Sequence, residues 1–158
     1  MMQAYMLVRL IEDNSEKLAS KLLHTIHQTG AVPGYLEKVP AEELKNYVHD
    51  IYRHLGEWLL AKTETDIEQR YTEVGLRRAV QGVPLSELVW VIALTKENLV
   101  DFLKKQDIPN ETVDTRDELE MLQWLDHFFD RAIYYAAIGY ERAQAGLQMA
   151  KMSGAFTA

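Results

Sequence analysis

Residues 82–103, GVPLSELVWVIALTKENLVDFL, open with a helix-start signal and then place apolar side chains on nearly every side of the helix that follows. Pro84 has the preset φ and absent N–H that suit a first helical turn, and Gly82 suits the end of a preceding helix. A segment that is apolar all round needs neighbours on several flanks. The chain's own core, a core shared with a dimer face, and the wall of a ligand pocket would each supply them, and the residues alone leave all three open. A bilayer would not, because the wholly apolar run Leu88–Leu94 is far short of the roughly 20 residues that span one.

The remaining chain repeats the helical period. Residues 3–12 suit a short helix or an extended arm. Asp13, with Glu16 three residues on, has the spacing of a cap for a helix carrying Leu18, Leu22, Leu23 and Ile26, which TGAVPGY then ends. Pro40 opens the next helix, with Glu42 and Glu43 near its positive end. Leu44, Val48, Ile51, Leu55, Trp58 and Leu59 recur along it at three- and four-residue spacing. Thr65 and Glu68 have capping-box spacing for a third helix with Ile67, Tyr71, Val74 and Leu76. Gly75 lies inside that helix, where glycine costs roughly 1 kcal/mol of propensity, so it marks close approach of another helix.

After a polar loop, KKQDIPNETVD, Thr115 and Glu118 repeat the capping spacing. A final helix over 116–147, roughly 45–50 Å long, carries Leu119, Leu122, Leu125, Phe129, Ile133, Ala136 and Tyr140, with Gly139 as a place to bend. No stretch alternates with the period of a strand. The expectation is an all-α fold, a single-domain helical bundle of about five helices over 14–147, with 1–13 as arm or short helix and 148–158 as a flexible tail. Several helices around one long helix are also compatible with a globin-like arrangement without haem.

Composition narrows the function. A net charge of −7 over 158 residues, with the densest basic group only Arg70, Arg77 and Arg78, disfavours nucleic acid and anionic lipid as partners. There is no cysteine, so thiolate chemistry is excluded. The N-terminal apolar run is short, contains Arg9 and precedes no small-residue cleavage site, which argues against a signal peptide and for the cytoplasm.

No catalytic or metal motif stands out. His24 and His27 are three apart but lack the further ligands a metal needs, and His54 pairs across one turn with Asp50. In WLDHFFDRAIYYAAIGYE, Asp126 and Asp130 are four apart, as are His127 and Arg131. An enzyme using Asp126, His127 and Asp130 is one alternative, yet no nucleophile or anion cradle accompanies them, and a polar network anchoring the long helix is the simpler reading. His127, among Trp124, Phe128 and Phe129, is the histidine best surrounded for haem, so a tetrapyrrole or another small apolar molecule is a second alternative. Glu73 and Arg77 form a helical i,i+4 pair, and Arg78 is placed to reach Asp130 or Glu87. Candidate ligand or interface residues are Arg78, Trp90, Leu94, Trp124, His127, Asp130, Arg131, Tyr134 and Tyr140. No catalytic residue, metal site or cofactor is assigned.

The pattern Gly75, Arg78, Gly82, Pro84, Leu85 and Glu87, followed by Phe128, Phe129, Asp130, Arg131 and Tyr140, resembles the helical N-terminal sensor-type domain of RsbT co-antagonist proteins in bacterial stress signalling. The resemblance covers about 14–145 and is most specific in the second half. It implies a cytoplasmic all-helical module, often dimeric, in some members like a globin that lacks haem, with a role in sensing or protein interaction. It supplies no catalytic residues. Those co-antagonists carry a C-terminal effector domain and this sequence ends at Ala158, so the expected mode of action is association, through a homodimer or a signalling partner.

Overall fold

The computed structural model describes residues 4–105 and 115–157. The polar loop over 104–114 falls almost wholly outside them, as does the side chain of Thr115 that was read as a cap. Among the described residues the chain is all helix: α1 (Ala4–Asp13), α2 (Ser15–Gln28), α3 (Pro33–Lys38), α4 (Ala41–Arg53), a π turn (Glu57–Ala61), α5 (Glu64–Gln81), α6 (Leu85–Lys105) and α7 (Thr115–Thr157). The all-α single domain with a long last helix is therefore the fold, with more pieces than the apolar stripes resolve.

The additional elements have local causes. Residues 4–13 form a helix because Ala4, Leu7, Val8 and Ile11 share one buried face. The junction with α2 falls at Asn14, whose side-chain amide donates back to the Leu10 carbonyl at 2.8 Å, so Asp13 is the last residue of α1 and caps nothing. Within the TGAVPGY stop, Pro33 starts the six-residue α3, which buries Tyr35 completely. The helix read from Pro40 to Leu59 breaks at His54 and resumes as the π turn, closed by the Lys62 amide donating to the Glu57 carbonyl at 2.7 Å. That turn sets Trp58 in an aromatic cluster with Tyr71, Phe128 and Phe129, whose rings meet edge-on or tilted at 5.0–6.3 Å.

Helix α5 begins two residues before the expected box. Thr63 accepts from the Asp66 amide at 3.2 Å and its own amide donates to Asp66 Oδ2 at 2.8 Å, an aspartate doing what glutamate does in the usual pattern. At the other end Gly82 takes a left-handed φ of 84°, and the Val83 amide reaches back to the Arg78 carbonyl at 3.0 Å.

Helix α7 packs mainly against α5. Glu64, at the start of α5, meets Arg131 and Tyr135, while Val83, just past its end, accepts from the Tyr140 hydroxyl at 2.7 Å. The two helices thus run in the same sense. They cross at two glycines: a Cβ on Gly75 would lie 1.9 Å from the Ala136 carbonyl oxygen, and one on Gly139 would lie 2.0 Å from that of Thr72. Gly139 is therefore a contact residue as much as Gly75.

The opening stretch is chiefly core. Leu88, Val91, Ile92 and Leu94 are buried by this chain alone, Val89 and Ala93 are half-buried, and Trp90 stays 45% exposed. Beneath it a small polar network joins α2, α4 and α6: Asn98 donates to the Leu18 carbonyl at 3.0 Å and to the Tyr52 hydroxyl at 3.1 Å, and Tyr52 donates to the Thr95 carbonyl at 2.8 Å. Tyr52→Phe, which leaves an Asn98 amide hydrogen and the Thr95 carbonyl with poorer partners, is expected to cost about 1–2 kcal/mol in a urea melt.

Candidate functional site

An open cleft of about 700 Å³ lies between α4 and α5, lined by Pro40, Glu42, Glu43, Asn46, Tyr47 and Asp50 from one side and Arg70, Glu73, Val74, Arg77 and Arg78 from the other. Its charged floor follows from the helical period. Arg70, Arg77 and Arg78 lie at intervals of seven and one, and Glu43 and Asp50 at an interval of seven, so the two sets face each other along adjacent helices.

Arg78 is the anchor. Its side chain is 3% exposed, and a charge at that depth must be both paired and hydrogen-bonded. Nη1 donates to Glu43 Oε1 at 2.7 Å and to Gln81 Oε1 at 2.9 Å, while Nε donates to the Tyr35 hydroxyl at 3.0 Å. Glu43 also accepts from Arg77 Nε, and from Gln81 Nε2 at 3.1 Å. Held by Arg77 first and then Arg78, the Glu43 carboxyl titrates at about 2, against an opposing contribution from its partial burial. The partner of Arg78 is therefore Glu43, not Asp130 or Glu87, because Arg78 faces α3 and α4 while α7 meets α5 along Thr72 and Gly75. Glu87 instead accepts the Tyr35 amide at 3.0 Å, and Arg77 turns from its helical neighbour Glu73 to Glu43.

Among the described residues, the Tyr47 hydroxyl and Arg70 Nε, buried polar atoms on side chains of this cleft, have no hydrogen-bond partner. Tyr47 is 6% exposed. Burial pushes its hydroxyl well above the usual tyrosine range, and the neighbouring Tyr71 hydroxyl adds to the shift without closing a bond of good geometry. Arg70 reaches Asp50 through Nη2 at 3.3 Å, which leaves Nε unused.

The other sequence-derived candidates lie on α6 and α7, some exposed and some buried. Asp126 pairs with Lys96, whereas His127 and Asp130 are exposed. Asp130 and Ile133 edge a shallow groove of about 360 Å³ with Ala93, Val100 and Phe129. Arg131 Nε pairs with Glu64 Oε2 at 3.2 Å, and Tyr135 donates to Glu64 Oε1 at 2.6 Å. Trp90 and Tyr134 are exposed, Trp124 is half-buried, and Leu94 and Tyr140 are buried. Asp126, His127 and Asp130 thus share no enclosed site, and His127 lacks the apolar crevice that an axial haem ligand needs. The expected network of Arg78 with Asp130 is replaced by Arg78 with Tyr35, Glu43 and Gln81. Glu43 was visible in sequence only as a helix-end charge, and Tyr35 was hidden in a helix stop. The invisible element was α3, which six residues with an initial proline form.

Among the described residues no cluster of histidine, aspartate and glutamate is arranged to hold a metal ion, and no helix is long and apolar enough to cross a membrane. Comparison with curated proteins and with solved structures gives no match. Residues 16–152 match the RsbT co-antagonist protein rsbRD N-terminal domain. That span takes in α2 through most of α7, including both faces of the cleft and the glycine crossing, and the chain belongs to this family of bacterial stress-signalling domains.

Proposed function

We propose that this chain is a non-enzymatic sensor or protein-interaction module of cytoplasmic bacterial stress signalling, acting through helix packing at a dimer or partner interface. The course of α7 carries this reading. Up to Ala143 the helix is built into the body of the domain, and every described side chain over 144–154 is exposed. Ala136 and Tyr140, which meet Gly75 of α5, and the half-buried Ala143 are continued at the same alternating spacing by Leu147, Ala150 and Gly154. Such a seam is what a second helix packs on. Leu147, Ala150 and Gly154 form an exposed strip of apolar and small residues, with Leu147 43% exposed, that a free helix would not retain cheaply in water. Met149 and Met152, 68% and 63% exposed, lie on the other side of the helix. The sequence reading ends the last helix at 147, and the strip lies largely beyond that boundary, in the helix that runs on to Thr157.

The occupant proposed for the strip is a second copy of the chain, with the exposed Trp90 and Tyr134 as further candidates for the interface. The solvent exposure of Asp126, His127 and Asp130, with Asp126 paired to Lys96, favours this reading over an acid–base enzyme, and the exposed His127 favours it over a tetrapyrrole carrier. Light scattering at tens of micromolar is expected to give the mass of a homodimer, whose interface should bury on the order of 1,200 Å² or more in total. Leu147→Glu should return the monomer mass with an unchanged circular dichroism spectrum. A monomer mass for the unaltered chain would overturn the dimer.

A further inference from the structure

A sensor needs an input, and the α4–α5 cleft has unused capacity of a specific kind. Most of its charge is already committed: Arg78 and Glu43 hold each other, and Asp50 holds one arm of Arg70. What remains is Arg70 Nε, the two terminal nitrogens of the 62%-exposed Arg77, and the carboxylates of Glu42 and Glu73, which make no ion pair among the described residues. Beside these lies the Tyr47 hydroxyl, buried and without a hydrogen-bond partner among the described residues. A buried donor without a partner is costly, and two on one cleft imply that something supplies their bonds.

The charge pattern restricts what that is. Three arginines face four carboxylates, so a bare anion meets net repulsion and a bare cation leaves the arginine donors empty. A dipolar molecule answers both. The cleft volume of about 700 Å³ accommodates a ligand of amino-acid or dipeptide size.

We infer that the cleft between α4 and α5 binds a small zwitterionic ligand of amino-acid type, its carboxylate taken by Arg70 and Arg77 beside the Tyr47 hydroxyl and its ammonium by Glu42 and Glu73. This deepens the sensor reading, on which its role as an input rests. The consequence for α7 is direct: α5 lines the cleft with Val74 and Arg78 and carries Gly75 between them, in backbone contact with α7. A ligand that draws α4 and α5 together therefore acts on the helix that carries the exposed seam.

Calorimetric titration of the full chain with each of the common L-amino acids, their des-amino acids, their methyl esters and inorganic phosphate tests the site. At least one L-amino acid is expected to bind saturably, with at least about tenfold weaker binding when its amino group is removed or its carboxylate esterified. Arg70→Gln, which removes the partly exposed pair with Asp50, should weaken that binding by at least about tenfold. Tyr47→Phe should weaken it while raising the melting temperature, because it deletes a buried hydroxyl that has no hydrogen-bond partner among the described residues. The inference is overturned if no amino acid saturates, if a des-amino acid or phosphate binds as tightly, or if Arg70→Gln leaves the affinity unchanged. A lower melting temperature for Tyr47→Phe would likewise assign that hydroxyl to the fold alone. A monomer mass in light scattering would remove the dimer reading without touching this titration, so the two failures are distinguishable.

Discussion

Gly75→Ala is expected to destabilise the domain by about 3 kcal/mol or more, against a propensity change that favours alanine by about 1 kcal/mol. The added Cβ would lie 1.9 Å from the Ala136 carbonyl oxygen, 2.8 Å from its carbon and 2.9 Å from the Tyr140 nitrogen. All three are backbone atoms of a neighbouring helix, so no side chain can rotate away, and α5 and α7 must separate. Gly139→Ala should behave alike, since its Cβ would meet the Thr72 backbone at 2.0 Å. Separation would also pull the Tyr140 hydroxyl from the Val83 carbonyl, which ties α7 to the α5–α6 turn. Gly75→Leu should abolish the cooperative transition. As a control, Gly146→Ala, on the exposed part of α7 where an added Cβ meets nothing within 4 Å, should leave stability unchanged or slightly improved. A thermal or urea melt in which Gly75→Ala matches or exceeds the parent would refute the close crossing.

The second large effect is expected at Glu43. Glu43→Ala leaves the guanidinium of Arg78, 3% exposed, with only Gln81 and Tyr35 as partners. Removing one member of a buried pair costs about 3–5 kcal/mol in comparable cases. Glu43 itself is 20% exposed, so about 3 kcal/mol is the appropriate expectation. The pair also sets a pH dependence. The carboxyl titrates at about 2 in the folded chain against 4.5 ordinarily, so folding favours its ionised form. That contribution is fully present above about pH 4.5 and is lost as the pH falls toward about 2. Urea midpoints of the parent and Glu43→Gln, measured from pH 6 to 2.5, should therefore converge at the acid end. A constant gap across that range would show that Glu43 contributes through packing alone.

How much was legible from residues can be judged at these same positions. Gly75 was readable because glycine inside an otherwise periodic helix is unfavourable unless space demands it, and the crossing supplies the demand. Gly139 carried the same signal on α7, yet a bend and a contact are equivalent in a single helix, and only the position of α5 separates them. Arg78 was legible as a charge needing a partner; the partner was not, because Glu43 lies 35 residues earlier in the chain. Helical period says which side a residue takes on its own helix and says nothing about which helix arrives there. The capping box was misplaced by two residues for a simpler reason: Thr63–Asp66 and Thr65–Glu68 have the same spacing, and only the backbone shows which threonine lies at the boundary.

The sequence by itself determined that this chain is all-α, where α5 stops and α6 starts, and that Leu88–Leu94 must be covered on several sides, because the three-to-four-residue apolar period, Gly82 and Pro84 act through local backbone geometry and side-chain direction. Only the tertiary structure decided that Arg78 belongs to Tyr35 and Glu43, that Asp126 pairs with Lys96 while His127 and Asp130 stay exposed, and that α4 and α5 enclose a cleft in which the Tyr47 hydroxyl and Arg70 Nε have no hydrogen-bond partner among the described residues. Each of these depends on which surfaces of different helices meet when they pack. Local propensity carries no term for it.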